Sequence, residues 1–242
     1  MSRVAVVTGA SGLGEAICTG LAADGHRVGV LDVDADAAEK LAEKLRGRGA
    51  QATAVAADVS DEAAFAAVRA EFGPLAMLVT SAAIGGFTRF DEITLDEWNR
   101  YLAVNLTGTF LSIRAALPDM VEAGWGRVVT ISSAAGQQGG PKQGHYSATK
   151  GGVIAMTKTV ARDYARHGVT ANSVPPFVIE TPMLRRQQAE GKLPPDEYLT
   201  QAIPAGRVGG PEDVAAVCSF LCSEAAGYVN GQVIGVNGGA VV

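Results

Sequence analysis

The stretch from residue 4 to residue 14, VAVVTGASGLG, joins a short apolar run to a glycine-rich turn. A valine-rich run of this length predicts a buried strand, and the pattern from about Glu15 onward predicts a helix. Glycines between a strand and a helix let the backbone approach a pyrophosphate, whose charge the helix N-terminus favours. We therefore predict a nucleotide-binding unit here, with an ordinary tight turn as the alternative.

Strand patterns recur along the rest of the chain and alternate with helical ones. They begin at residues 4, 28, 52, 75, 127, 169 and 232, and the longer helices are predicted over 95–123, 146–167 and 211–223. This alternation predicts an α/β fold: one Rossmann-type, doubly wound domain over residues 1–242, with about seven parallel strands and helices on both faces. Ligands of such sheets bind outside the carboxyl ends of the strands.

The second predicted strand ends in Leu31-Asp32, 18 residues beyond Gly14. A carboxylate at this place can accept hydrogen bonds from the adenosine ribose hydroxyls and would repel a 2′-phosphate. The position therefore favours NAD over NADP. The alternative is that Asp32 simply caps the next helix, as Asp34 or Asp36 could.

Tyr146 and Lys150 stand four residues apart, and Tyr146 follows Ser133 by thirteen residues. Positions i and i+4 share a helix face, so we expect the Lys150 ammonium to lower the pKa of the Tyr146 phenol from its usual value near 10. A phenol with a lowered pKa suits general acid/base catalysis, and Ser133 would hold the reacting oxygen. Because the pattern is short, an ordinary amphipathic helix start is the alternative.

The overall composition argues against several classes of function. The net charge is −5, whereas a protein that binds nucleic acid or an anionic membrane is expected to have a basic surface. We therefore expect neither as a partner. Three cysteines, Cys18, Cys218 and Cys222, are too few and too poorly spaced for a disulfide framework or a zinc site, and we predict no metal. No apolar stretch approaches the roughly 18 residues of a membrane span, and residues 4–7 are too short for a signal peptide. We expect a cytoplasmic protein that acts on small molecules.

Taken together, the motifs resemble those of the short-chain dehydrogenase/reductase family over essentially the whole chain. The family's glycine motif falls on residues 8–14, and its adenine-contacting acid falls on Asp58, followed by Val59. Its helix asparagine falls on Asn105, and its serine, tyrosine and lysine fall on the three residues introduced above. The resemblance implies a homotetramer built on helices 95–123 and 146–167 and on packing around the last strand.

The resemblance also assigns roles to these residues. It makes Tyr146 the acid/base and Ser133 the residue that positions the substrate oxygen, while Lys150 binds the nicotinamide ribose and lowers the phenol pKa. Asn105 would anchor a water that relays protons from Lys150 to solvent. The cofactor residues that it implies are Gly9, Ser11, Gly12, Leu13, Gly14, Asp32, Asp58, Val59, Ala82, Tyr146, Lys150, Ile179 and Thr181.

The chain departs from the family pattern in three places. The glycine turn is one residue short, with only Ala10 and Ser11 between Gly9 and Gly12. The family's Asn-Asn-Ala-Gly appears as TSAA at residues 80–83, and its Pro-Gly becomes Pro176-Phe177. We expect reduced cofactor affinity and a substrate pocket that Phe177 narrows or lines, in an enzyme that is still active.

The residues expected around the substrate are mostly apolar: Ile84, Phe87, Ala135, Gln138, His145, Phe177, Met183 and Leu184. Residues 183–203 are expected to form a mobile lid. We predict a medium-sized hydrophobic secondary alcohol or its ketone as substrate. His145 could hydrogen-bond the substrate, although a merely solvated histidine is the favoured interpretation.

Two other functions stay open at this stage. One is a 3-oxoacyl-thioester (acyl-carrier-protein) reductase that uses NADPH, against which Asp32 argues. The other is a nucleotide-binding sensor or scaffold that has lost catalysis, against which the intact Ser133, Tyr146 and Lys150 argue.

Overall fold

Six parallel strands form one sheet in the order β3-β2-β1-β4-β5-β6. The computed structural model describes residues 2–242. The strands are β1 Val4–Thr8, β2 Arg27–Asp32, β3 Ala52–Ala56, β4 Met77–Thr80, β5 Gly126–Ile131 and β6 Val169–Val174. The strand order reverses between β1 and β4, which confirms the predicted doubly wound α/β fold and places a crevice at the carboxyl ends of these two strands.

The described chain has ten α-helices, and six of them cover the two faces of this sheet. The ten are α1 Leu13–Ala23, α2 Ala35–Arg46, α3 Ala64–Phe72, α4 Leu95–Tyr101, α5 Gly108–Ala123, α6 Ala134–Gln138, α7 Gly144–Tyr164, α8 Pro182–Ala189, α9 Asp196–Gln201 and α10 Pro211–Cys222. One apolar core joins α1, α2 and α10 to one face of the sheet, and a second joins α3, α5 and α7 to the other. Among residues 2–242, no helix combines the length and apolar character needed to cross a membrane.

The seventh predicted strand does not form as a continuous strand. Ser173 of β6 donates to Gln232 O at 2.9 Å and accepts from Ile234 N at 2.8 Å, so this segment does run parallel to β6. The next residue of the ladder to donate would be Pro175, which has no N–H. The pairing is therefore limited to isolated bridges beside a six-stranded sheet.

The predicted helix over 95–123 consists of three parts. Helix α4 passes into a wider π-helical turn, Leu102–Thr107, which continues directly into α5. Such turns are rare and occur mostly at functional sites. The predicted helix over 146–167 is α7, extended by a 3₁₀ turn at Ala165–His167.

Candidate active site

A single cleft of about 1510 Å³ lies at the carboxyl ends of the strands, between the glycine turn and helices α8 and α9. It brings most of the predicted site residues together. The predicted residues that line it are Gly9, Ser11, Gly12, Leu13, Asp32, Asp58, Val59, Ala82, Ile84, Phe87, Ser133, Ala135, Gln138, Tyr146, Lys150, Phe177, Ile179, Thr181, Met183 and Leu184. Gly14, Asn105 and His145 are not among its lining residues.

The shortened glycine turn keeps the backbone geometry of a tight approach. Gly9 and Gly12 have φ angles of +93° and +58°, a region that favours glycine. A Cβ on Gly14 would lie 1.8 Å from the Gly9 carbonyl oxygen, so no larger residue fits there. Helix α1 begins at Leu13 with no side-chain cap on its first N–H groups. The turn thus fits an anionic group at the helix N-terminus.

Asp32 stands at the end of β2 and faces the cleft. Its carboxylate accepts hydrogen bonds from Ala10 N at 2.6 Å and from Asp34 N at 2.9 Å. The cap of α2 is Asp34, whose side chain accepts from Ala37 N at 3.1 Å. The alternative that Asp32 caps this helix is therefore wrong, and Asp32 instead ties the shortened turn to β2.

Ser133, Tyr146 and Lys150 converge from two elements. Ser133 follows β5 and caps α6, since its Oγ accepts from Ala135 N at 3.1 Å. The tyrosine and the lysine lie one turn apart on α7. Lys150 Nζ donates to Ile131 O at 2.8 Å and lies 5.8 Å from the centre of the Tyr146 ring. All three side chains therefore meet at the same end of β5.

Burial controls the protonation of this group. Burial lowers the pKa of Lys150 to about 8, because the ammonium has left water. Burial also raises the pKa of Tyr146, and a hydrogen bond with Ser133 only partly opposes this. The direction is opposite to the one expected from the sequence, because burial of the phenol outweighs the hydrogen bond with Ser133.

Asn105 lies fully buried in the π-helical turn. Its Oδ1 accepts from Ile84 N at 2.9 Å, and its Nδ2 donates to Ile84 O at 3.0 Å. The Nδ2 group also lies 3.3 Å from Thr149 Oγ1, one residue before Lys150. Asn105 thus fixes a cleft-lining loop against α7 without facing the cleft itself.

His145 does not occupy the position that the sequence predicted. Its ring is 0% exposed, so both a solvated ring and a substrate contact are wrong. Because α7 begins at Gly144, His145 lies in the first turn of the helix and packs against α4, where its Nε2 is 3.1 Å from Glu97 Oε1.

The segment after β4, where the family has asparagines, is held to β1 through its backbone. The Thr8 Oγ1 atom accepts from Ser81 N and from Ala82 N, both at 3.1 Å, and so links β1 to the end of β4. The buried Thr80 hydroxyl has no hydrogen-bond partner within residues 2–242.

The predicted lid consists of α8, α9 and the segment between them. Arg185 binds both Glu180 and Asp196 and so holds the two helices together. The Thr181 hydroxyl caps α8 by accepting from Leu184 N at 3.2 Å.

Several polar residues of the cleft were not predicted from the sequence. These are Glu97, Arg100, Tyr101, Gln143, Arg186, Gln187 and Lys192. Tyr101 carries the clearest sequence signal, because it precedes Asn105 by four residues and so shares its helix face. The others lie at helix ends or in the lid, where periodicity carries no information.

The chain was compared with known proteins and families. A family model, adh_short_C2, described as enoyl-(acyl carrier protein) reductase, matches residues 7–241. The D-threitol dehydrogenase of Mycolicibacterium smegmatis is 37% identical, over 99% of this chain and 93% of the relative. The (3R)-3-hydroxyacyl-CoA dehydrogenase of Rattus norvegicus is 40% identical, over 98% of this chain and 96% of the relative.

A solved structure shares the fold along the whole chain. The crystal structure of a 3-oxoacyl-[acyl-carrier protein] reductase with bound NAD, from Brucella melitensis, superposes with a TM-score of 0.90 at 33% identity. The match covers 99% of this chain and 92% of that one.

Proposed function

We propose that the protein interconverts a medium-sized hydrophobic secondary alcohol and its ketone with NAD(H). The chain belongs to the short-chain dehydrogenase/reductase family. The protein is an oxidoreductase acting on CH–OH donors, and its family uses nicotinamide cofactors. The observation that carries the proposal is the convergence of Ser133, Tyr146 and Lys150 in the cleft that the glycine turn also lines.

The chain's own residues would manage the proton. With its raised pKa, Tyr146 is protonated near neutral pH and can donate to the carbonyl oxygen during reduction. Ser133 would hydrogen-bond the same oxygen. Lys150, held by Ile131 O, would bind the nicotinamide ribose. The nicotinamide, when bound, supplies or accepts the hydride.

The cofactor would lie along the cleft from the glycine turn to α7. We assign the pyrophosphate to the turn at Gly9, Ser11, Gly12, Leu13 and Gly14, in which the position of Gly14 has no room for a Cβ. The adenine end would meet Asp58 and Val59. The nicotinamide end would meet Ala82, Tyr146, Lys150, Ile179 and Thr181. Asn105 would support the proton path from Lys150.

Asp32 supports NAD over NADP. Each of the two carboxylate oxygens accepts a hydrogen bond from a backbone N–H. These bonds hold the negative charge at the wall of the cleft. The next two residues are Val33 and Asp34, which offer no cation to a 2′-phosphate. The Asp32 carboxylate would repel a phosphate at this place.

The substrate end of the cleft supports a hydrophobic alcohol or ketone. The apolar wall of this end includes Ile84, Phe87, Phe177, Met183 and Leu184. Ala135 and Gln138 also line the cleft and belong to α6, the helix that Ser133 caps. We propose that residues 183–203 close over it as a lid.

A 3-oxoacyl-thioester reductase is the second candidate. The similarity to a hydroxyacyl-CoA dehydrogenase and to a 3-oxoacyl-carrier reductase favours it. The cleft also carries Arg186 and Lys192, which could face the phosphates of an acyl carrier.

A catalytically silent nucleotide sensor is the third candidate. The presence of Ser133, Tyr146 and Lys150 together in the cleft argues against it.

We further propose a cytoplasmic homotetramer with no nucleic-acid or membrane partner. Exposed apolar side chains on α5 and near the C-terminus support association, since Phe110 is 44% exposed and Tyr228 is 103% exposed.

The test is a substrate screen with both cofactors. Aryl-alkyl carbinols, cyclic alcohols, hydroxysteroids and 3-hydroxyacyl-CoA esters are each assayed with NAD and with NADP. The proposal predicts turnover of a hydrophobic secondary alcohol and a clear preference for NAD. Turnover of the acyl-CoA ester alone, with NADP preferred, would favour the second candidate, and no turnover of any alcohol would refute the first.

A further inference from the structure

The first turn of α7 lacks the usual helix cap. The residue before the helix, Gln143, makes no side-chain hydrogen bond to it. The first N–H groups of a helix have no partner within the helix, and a side chain at the cap normally accepts from one of them. Tyr146 is the third residue of α7, so its N–H is one of these groups.

The partner of that N–H is the side chain of His145. Its Nδ1 accepts from Tyr146 N at 2.7 Å, and its Nε2 lies 3.1 Å from Glu97 Oε1. An Nδ1 that accepts a peptide N–H carries no proton, so Nε2 is the protonated nitrogen and donates to Glu97. His145 is therefore a neutral ring with both nitrogens engaged, and it has no free site through which to pass a proton.

The ring is also fixed by stacking and by a second loop. It stacks on Tyr101 with 3.7 Å between ring centres and 7° between planes. Glu97 accepts a second hydrogen bond from Thr88 Oγ1 at 2.7 Å. Thr88 N in turn donates to Lys142 O at 2.7 Å, immediately before the start of α7. Three segments thus converge on one buried imidazole.

We infer that His145 is a positioning residue: its Nδ1 accepts from the backbone N–H of Tyr146, and this cap holds the first turn of α7, and with it the phenol, in position in the cleft. The inference rests on the proposed function, in which Tyr146 is the acid/base. A shift of about 1 Å in such a group can lower a rate by roughly a hundredfold.

Two substitutions at His145 test the hydrogen bonds of the two ring nitrogens one at a time. His145→Asn keeps a short acceptor near the position of Nδ1 and loses the reach to Glu97. His145→Gln reaches Glu97 and loses the acceptor for Tyr146 N–H. His167→Gln is the matched control, because His167 is exposed at the far end of α7.

The first readout does not depend on turnover. In protein labelled with ¹⁵N-tyrosine, the Tyr146 amide is assigned by its loss in Tyr146→Phe, and its hydrogen exchange is followed. We expect exchange at least tenfold faster in His145→Gln than in the wild type, and within threefold of the wild type in His145→Asn and His167→Gln. Equal exchange in His145→Gln and the wild type would overturn the inference.

The second readout uses the most reactive alcohol of the screen. We expect kcat to fall at least tenfold in His145→Gln, with NADH binding and KM within threefold of the wild type, and to stay within threefold in His145→Asn. Unchanged kcat in His145→Gln, or an equal loss in both variants, would overturn the positioning role. If His145→Gln does not fold, His145→Asn decides: retained kcat supports the inference and a tenfold loss refutes it.

The two proposals fail in different ways. Wild-type protein that turns over no substrate would refute the proposed function, and the positioning role would fall with it, while the exchange experiment would still measure the cap itself. If the wild type turns over substrate and kcat falls tenfold in neither His145 variant, this inference alone is refuted.

Discussion

At the scale of single residues, burial sets the chemistry of the site more than charge pairing does. Lys150 is 3% exposed and has one described hydrogen bond, to Ile131 O. A buried ammonium with a single neutral partner is costly for folding. The lysine that we propose to bind the nicotinamide ribose therefore lowers the stability of the fold.

Replacing Lys150 by methionine tests this cost through pH. The pKa is about 8 in the folded chain and about 10.4 in an unfolded one. Between these values the unfolded chain binds more protons, so the free energy of unfolding of the wild type rises with pH. We expect the stability of Lys150→Met relative to the wild type to fall by about 2 to 3 kcal/mol between pH 7 and pH 10, measured by urea unfolding.

The control for this experiment is Lys158→Met, since Lys158 lies exposed on the same helix. Its stability relative to the wild type is expected to change little with pH. A pH-independent difference for Lys150→Met would mean that burial does not hold the lysine pKa near 8.

At the scale of elements, the regular pattern of strands and helices was predictable, and the local irregularities were not. The glycine motif predicted the turn, and the pattern of apolar runs predicted the six strands and α7. It missed the π-helical turn around Asn105, because a widened turn leaves no signature in apolar spacing. It also missed the broken seventh strand, although Pro175 carried the signal, since a proline removes a donor from the ladder.

The residues of the candidate site also divide into those that the sequence could place and those that it could not. Residues at the carboxyl ends of strands, such as Asp32 and Ser133, could be placed because the fold defines that edge of the sheet. His145 could not, because its direction depends on the residue at which α7 begins. The pKa of Tyr146 was also beyond the sequence, since it depends on burial that only the packed cleft reveals.

Asn105 offers a test of the π-helical turn. Asn105→Ala removes the partners of both the Ile84 N–H and the Ile84 carbonyl. Leaving two partly buried backbone groups unsatisfied costs about 2 to 4 kcal/mol. We expect that loss in free energy of unfolding, measured by urea denaturation, and a higher KM because Ile84 lines the cleft. A variant as stable as the wild type would show that this loop does not depend on Asn105.

At the scale of the whole molecule, the sheet and its two cores provide the frame on which the cleft is built. Exposed apolar side chains lie on α5 and near the C-terminus, at Phe110 and Tyr228. Such apolar positions on a chain of this size favour association.

The proposed homotetramer can be tested through its mass. Light scattering should give about four times the chain mass of 24.8 kDa. Phe110→Glu places a charge on the exposed face of α5 and should lower the mass, whereas Tyr198→Glu on α9 should leave it unchanged. A wild-type mass of one chain would contradict the proposed assembly.

In the proposed function, Tyr146 transfers the proton in an NAD-dependent alcohol–ketone reaction. Replacing Tyr146 by phenylalanine removes only the hydroxyl, and general acid/base groups contribute about 10² to 10⁴ in rate. We predict that kcat falls at least a hundredfold on the best alcohol of the screen, while the dissociation constant for NADH, from fluorescence titration, stays within twofold. A variant that turns over as fast as the wild type would contradict the account.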